Sequence, residues 1–104
     1  MLGAGLIKID VRANLPWMCL ETQDGYWIAV CEPLKLTVES ETWADLMHDI
    51  GLTLDAMLKD LLSTNELEKF LLEQGWEASE IPSTLDGPIT FDVPFIPAMM
   101  ESRA

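Results

Sequence analysis

The chain opens with an alternation of apolar and polar residues, and this period of two predicts a half-buried β-strand at 6–12. Three further stretches have strand composition, and the Asp24-Gly25 pair between two of them is a strong hairpin signal. The four strands are predicted at 6–12, 17–22, 26–31 and 34–39. They are expected to form an antiparallel meander. The strand at 26–31 is apolar throughout, so we expect it to be central and covered on both faces.

The spacing of apolar residues changes after Thr42 to steps of three and four, which predicts an amphipathic helix over 43–62. Thr42 is the predicted N-cap, because its hydroxyl can accept a free backbone N–H of the first turn. Gly51 weakens this helix by about 1 kcal/mol relative to alanine, and its presence predicts close packing against the sheet.

A second helix is predicted over 64–74, with Ser63 and Glu66 as a capping box and Gly75 as the left-handed terminator. Trp76 is expected to fold back on the last turn. Residues 77–88 are predicted to be a loop, and alternation returns at 89–95, which predicts a final strand with Pro94 near its end. Residues 97–104 are predicted to be a frayed tail.

This order of elements predicts the α+β class, with an antiparallel β-meander of three or four strands and helices packed on one face. The expected core is β-β-β-α, followed by the second helix and the C-terminal strand. The length of 104 residues predicts one domain over 1–104. Its core is predicted at about 17–76, with the extra N-terminal strand at 6–12 and the C-terminal strand at 89–95.

The charge balance restricts the classes of partner. Six basic and 18 acidic residues give a formal charge of −12. A nucleic-acid interface needs clustered Lys and Arg, so direct nucleic-acid binding is not expected, and neither is a polybasic membrane anchor. The start of the chain is not typical of a signal peptide, and no apolar run has the length of a membrane span, so a cytoplasmic protein without membrane attachment is expected. An acidic surface favours a basic partner.

The residues that usually carry chemistry form no recognisable site. His48 is the single histidine and lies beside the apolar stripe of the first helix, where a surface position is the favoured interpretation. Pairing around Asp24-Gly25 predicts that Cys19 and Cys31 lie on neighbouring strands and one face, as packed core thiols or as a redox pair. No metal motif, phosphate loop or nucleophile elbow is recognised. We therefore expect no enzyme, no catalytic residues, no metal and no cofactor.

The aromatic residues point to an interface. Four tryptophans are many for this length. A sheet covered by helices on one side leaves its other side open, and Trp17, Trp27 and Ala29 could lie there and bind a partner. Packing of these residues in the core is the equally weighted alternative.

From Trp17 to about Trp76 the sequence resembles the HicB-like antitoxin domain, over about sixty residues. The resemblance rests on residues 24–31, where an acidic-glycine turn leads into the strand Tyr-Trp-Ile-Ala-Val-Cys. It also rests on the Thr42-capped helix start and on residues 67–76, which are similar to an extension of some members. The chain departs from the family at Lys35-Leu36, where many members have a tight Gly-Cys turn. The strand at 6–12 lies before the family's usual start.

The resemblance implies a protein that pairs into dimers or tetramers and neutralises a small basic HicA-like toxin, an mRNA interferase. The family's usual C-terminal DNA-binding domain has no counterpart in the 28 residues after Trp76, so operator binding is not expected. The leading hypothesis is this non-catalytic antitoxin role, with Trp17, Trp27, Glu32 and Glu39 as partner-binding residues. The alternative is an orphan self-assembling structural or adaptor module of the same fold. A hydrolase built on half of an RNase-H-type sheet is the third.

Overall fold

The computed structural model describes residues 7–79 and 88–99, and it confirms the α+β class. Nine elements follow one another along this part of the chain. They are β1 (Ile7–Arg12), β2 (Pro16–Glu21), β3 (Trp27–Cys31), β4 (Leu36–Ser40), α1 (Trp43–Ser63), α2 (Leu67–Gln74), β5 (Glu77–Ala78), β6 (Ile89–Asp92) and β7 (Ile96–Met99).

The chain divides into two compact units, and neither is continuous in sequence. The four-stranded unit comprises Asn14–Thr53 and Phe95–Ala104, and the three-stranded unit comprises Met1–Ala13 and Leu54–Pro94. Each unit holds one sheet and one part of α1. The extent of the predicted domain, 1–104, stays a prediction.

The sheet of the four-stranded unit has the order β4-β3-β2-β7. The strands β2, β3 and β4 pair antiparallel, which confirms a three-stranded meander with β3 as a central strand. The hairpin between β2 and β3 closes where the Thr22 N–H donates to the Tyr26 carbonyl at 2.7 Å. Its loop therefore has three residues, with Gly25 at a φ of 90°, a left-handed conformation that favours glycine.

This longer loop corrects the predicted register of the hairpin. Cys19 lies opposite Ala29, where the shorter Asp-Gly turn placed Cys31 at or beside the position opposite Cys19. The two thiols are both buried, and they lie two residues apart in register. Cys19 and Cys31 lie on neighbouring strands and on one face as buried thiols, as predicted, but they are not directly opposite each other.

The strand β7 corrects the prediction of a frayed tail over 97–104. Residues Ile96–Met99 pair in parallel with Pro16–Cys19 of β2. Pro97 lacks an N–H, which an outer strand tolerates. Residues 100–104 lie outside the described part of the chain.

The helix α1 begins as predicted, with the Asp45 N–H donating to the Thr42 hydroxyl at 3.0 Å. In the four-stranded unit it buries Leu46 and Ile50. The Ser40 hydroxyl of β4 donates to an Asp49 carboxylate oxygen of α1 at 2.6 Å. Gly51 differs from the prediction of close packing, because a Cβ at this position would meet no atom within 4 Å.

The three-stranded unit contains a second sheet of order β5-β1-β6. The strand β1 pairs in parallel with β6 and antiparallel with β5. The prediction that β1 belongs to the meander is therefore wrong, as is a pure loop over 77–88, since Glu77–Ala78 forms β5. Residues 80–87 of that predicted loop lie outside the described part of the chain.

The helix α2 starts later than predicted and ends where predicted. Glu66 occupies the N-cap position without a side-chain hydrogen bond, and the Ser63 hydroxyl donates to the Asp60 carbonyl, so the capping box is wrong. Gly75 terminates the helix at a φ of 72°. The Trp76 ring folds back onto Phe70, with ring centroids 5.4 Å apart, as predicted.

Candidate functional site

The two faces of the four-stranded sheet differ in burial. The inner face holds five buried side chains beside half-buried ones such as Trp27 and Val38; the buried ones are those of Trp17, Cys19, Ala29, Cys31 and Ser40. The hydrogen bond from Ser40 to Asp49 places α1 on this face. An edge contact between the Trp27 and Trp43 rings, with centroids 5.1 Å apart, connects the sheet to α1 as well.

The opposite face is apolar on three of its four strands, and none of its side chains is buried. The alternation of β-strand side chains places the intervening residues there. We define the outer apolar face as Pro16, Met18, Leu20, Ile28, Val30, Ile96 and Ala98. Met18 is 40% exposed and Ile96 is 55% exposed, and the others are half-buried or exposed.

The strand register joins these residues into one patch. Met18 of β2 lies between Val30 of β3 and Ala98 of β7. Leu20 lies opposite Ile28, and Pro16 lies opposite Ile96. The patch thus covers three neighbouring strands without an interrupting polar residue.

The patch ends at β4, where the outward positions are polar. Thr37 lies opposite Val30, and Glu39 lies opposite Ile28, and both are exposed. Glu39 therefore places a carboxylate directly beside the outer apolar face.

The sheet of the three-stranded unit provides a contrast within the same chain. Its inward positions, such as Ile9 and Phe91, are buried and apolar. Its outward positions are charged, and Lys8 lies 3.4 Å from an Asp92 oxygen while Arg12 lies 3.7 Å from a Glu77 oxygen. This is the normal solvated face of a sheet, so the outer apolar face of the other sheet requires a different explanation.

The four-stranded unit, which carries the outer apolar face, is acidic. Residues 14–53 contain seven carboxylates and one basic side chain, Lys35. Of the seven, Asp49 is half-buried and hydrogen-bonded to Ser40, and the remaining six are exposed. A partner for this surface therefore gains from positive charge.

The structure separates the four predicted partner-binding residues. Trp17 is 0% exposed on the inner face, so its placement on an open surface is corrected: the ring is part of the core. Trp27 is half-buried on the same face against Trp43, and its placement on the open side is corrected too. Glu39 borders the outer apolar face, and Glu32 is exposed in the turn after β3.

Sequence reasoning missed the residues that do form the open surface. The available signal was β3, whose residues are apolar on both of its faces. That pattern predicts burial on both sides. Ile28 and Val30 instead remain accessible to solvent.

The residues considered for chemistry are dispersed or inert. Cys19 and Cys31 are buried, and burial raises the pKa of both thiols, which keeps them protonated and poorly reactive. His48 is exposed on α1, as favoured from the sequence. Within residues 7–79 and 88–99, no group of three or more His, Cys, Asp or Glu side chains is placed to hold a metal ion.

Among the side chains that the structure describes, one buried polar atom has no hydrogen-bond partner. Trp17 Nε1 is buried, and the described residues offer it no hydrogen-bond acceptor. An unpaired buried N–H costs free energy. Burial of the large apolar ring offsets that cost.

Neither of the two helices in the described residues has the length and apolar composition needed to cross a membrane. Compared with known proteins, the chain matches no family model, no curated protein and no solved structure.

Proposed function

We propose that this chain is a non-catalytic protein-binding module that associates through the outer apolar face. The observation that carries this proposal is that seven neighbouring apolar residues on three strands remain accessible to solvent. Contiguous exposed apolar patches of this kind mark interaction sites. The outer face of the three-stranded sheet supports the proposal by contrast. That face carries ion pairs, as a sheet face exposed to water usually does.

The specific role that we propose is that of a HicB-like antitoxin in the cytoplasm. It oligomerises as a dimer or tetramer and neutralises a small basic HicA-like mRNA interferase. The resemblance over 17–76 supports this role, and so does the formal charge of −12, since an acidic antitoxin competes with RNA for a basic toxin surface. The alternative is an orphan module that self-assembles through the same face and has no toxin partner.

A comparative capture experiment tests the proposal. Tagged wild-type protein is incubated with host lysate at low salt beside two variants, Met18→Glu on the outer apolar face and Thr90→Glu on the outward side of β6. Thr90 lies opposite Lys8, where a new carboxylate is tolerated. The wild type and Thr90→Glu are expected to retain one small basic protein that salt releases, and Met18→Glu is expected to lose it.

The captured protein is then tested as a ribonuclease, and adding back the wild-type chain is expected to inhibit it. Recovery of the bait alone, as a discrete oligomer that Met18→Glu disrupts, would establish the orphan module instead. Protein binding through this face would be refuted if the wild-type chain is monomeric and captures the same proteins as Met18→Glu.

A further inference from the structure

We infer that the occupant of the outer apolar face is a single amphipathic helix of a partner protein, with lysine or arginine along one flank. This inference rests on the proposed function, because it presupposes that the face binds protein. It specifies the secondary structure of the partner, its charge and its position on the sheet.

The width of the patch matches one helix. Its apolar residues lie on β3, β2 and β7, and neighbouring strands are about 4.8 Å apart, so the outer two axes are about 10 Å apart. An α-helix with its side chains is about 10–12 Å across. A helix lying along the strands therefore covers the patch in one pass.

The length of the patch also suits a short helix. Pro16 and Leu20 mark its two ends on β2, four residues apart, which corresponds to about 13 Å. About nine helical residues span that distance at 1.5 Å per residue. Such a helix presents three or four apolar side chains on one face.

The charge of the four-stranded unit argues against a second copy as the occupant. Two copies joined through this face would bring two acidic units together, because residues 14–53 of each copy hold seven carboxylates and one lysine.

The polar border favours positive charge on one flank of the helix. Glu39 lies along β4 beside Ile28, on one long side of the patch. A helix seated over β2 places one flank against this carboxylate. Lysine or arginine on that flank forms an ion pair at the rim, which contributes to partner choice and to the association rate.

The test uses synthetic helical peptides as probes and the full chain as receptor. The first probe has about fourteen residues, with leucine at helical spacing and lysine elsewhere. The second has glutamate in place of each lysine, and the third keeps the lysines but replaces leucine with serine. Affinity is measured by calorimetry, and the binding site is located by amide chemical shifts.

We expect the leucine-lysine peptide to bind with shifts concentrated in β2, β3 and β7, and the other two peptides to bind at least about tenfold more weakly. Met18→Glu adds a negative charge to the acceptor. If charge alone held the complex together, Met18→Glu would therefore bind the peptide more tightly. If the peptide packs on the patch, its affinity for Met18→Glu is expected to be about tenfold lower. Thr90→Glu adds the same charge elsewhere and is expected to change affinity less than twofold.

Four results would overturn the inference: equal affinity for the lysine and glutamate peptides, equal or tighter binding by Met18→Glu, shifts confined to the three-stranded unit, or no binding. Sedimentation of the free chain separates this failure from failure of the proposed function. If the free chain is a dimer and Met18→Glu dissociates it, the face is an interface, but its occupant is a second copy of the chain and not a helix of another protein. A monomer, together with captured proteins that Met18→Glu leaves unchanged, would refute both.

Discussion

The Asp55 carboxylate connects α1 to β6 within the three-stranded unit, and its removal gives a measurable loss of stability. One of its oxygens accepts the backbone N–H of Phe91 at 2.7 Å, and the other lies 2.8 Å from the Lys59 ammonium. The Asp55 side chain is 16% exposed, so water replaces these partners only in part. The Phe91 side chain is buried in the core beneath.

The expected loss for Asp55→Ala follows from three contributions. A hydrogen bond to a charged acceptor contributes about 1.5–3 kcal/mol. The ion pair with Lys59 contributes about 0.3–0.5 kcal/mol, because Lys59 is close to half exposed and the pair has i,i+4 spacing. Alanine has the higher helix propensity by about 0.7 kcal/mol, which offsets part of the loss. The free energy of unfolding is therefore expected to fall by about 1–3 kcal/mol.

Urea unfolding followed by circular dichroism measures this loss, and amide hydrogen exchange locates it. Exchange of the Phe91 N–H is expected to accelerate in Asp55→Ala and to stay slow in Asp55→Asn, which keeps an acceptor oxygen. Lys59→Ala removes only the ion pair and is expected to cost less than about 0.5 kcal/mol. Equal losses for Asp55→Ala and Lys59→Ala, with unchanged exchange at Phe91, would refute a stabilising role for the hydrogen bond.

Three other predictions follow from the structure. Gly51→Ala is expected to stabilise the chain by about 0.5–1 kcal/mol in urea unfolding, because the new methyl group meets no atom and the helix gains propensity; a loss would reveal a clash. Burial raises the pKa of Cys19 and Cys31, so the folded state holds these protons more tightly. Stability is therefore expected to be complete below the unfolded thiol pKa and to fall as pH rises through the folded values, with a flatter profile in the double alanine variant. A double-mutant cycle on Trp27 and Trp43 is expected to give a coupling of about 0.5–1.5 kcal/mol, and additive losses would contradict their ring contact.

Local features of the fold could be predicted because their signals lie within a few residues. The hydroxyl of Thr42 caps α1, and Gly75 ends α2 in a left-handed conformation. The strands at 7–12 and 16–21 begin within a residue of the predicted positions. Lys35, at a φ of 54° after Pro33, delays β4 to Leu36, which the alternation alone did not indicate.

Pairing between distant strands could not be predicted, because it depends on partners far along the chain. The short segment Ile96–Met99 has a weak strand signal of its own, and its pairing with β2 makes it a strand. The strand β1 follows the alternation expected of a meander strand and yet pairs with β6, more than seventy residues later. The hairpin loop between β2 and β3 is one residue longer than a two-residue Asp-Gly turn. Cys31 therefore lies two residues from the position opposite Cys19.

The open face escaped prediction for a related reason. Every residue of β3 is apolar, so its sequence does not show which side the helix covers. Contacts with α1 determine which side is covered. These are the hydrogen bond from Ser40 and the ring contact of Trp43, both on the inner side. Trp17 then fills the core on the inner side, and the medium-sized Ile28 and Val30 face outward.

The outer apolar face contributes little to the folding of this chain, and this makes its function separable from its stability. Outward positions of a sheet can carry charged residues, as Lys8 and Asp92 do in the other sheet. Met18 is 40% exposed, so a carboxylate at this position reaches water and only part of the methionine burial is lost. Met18→Glu is therefore expected to lower the free energy of unfolding by no more than about 1 kcal/mol. Association lost in this variant at unchanged stability would mean that these apolar residues stabilise the complex with a partner, whereas a large loss of stability would mean that the face is part of the core.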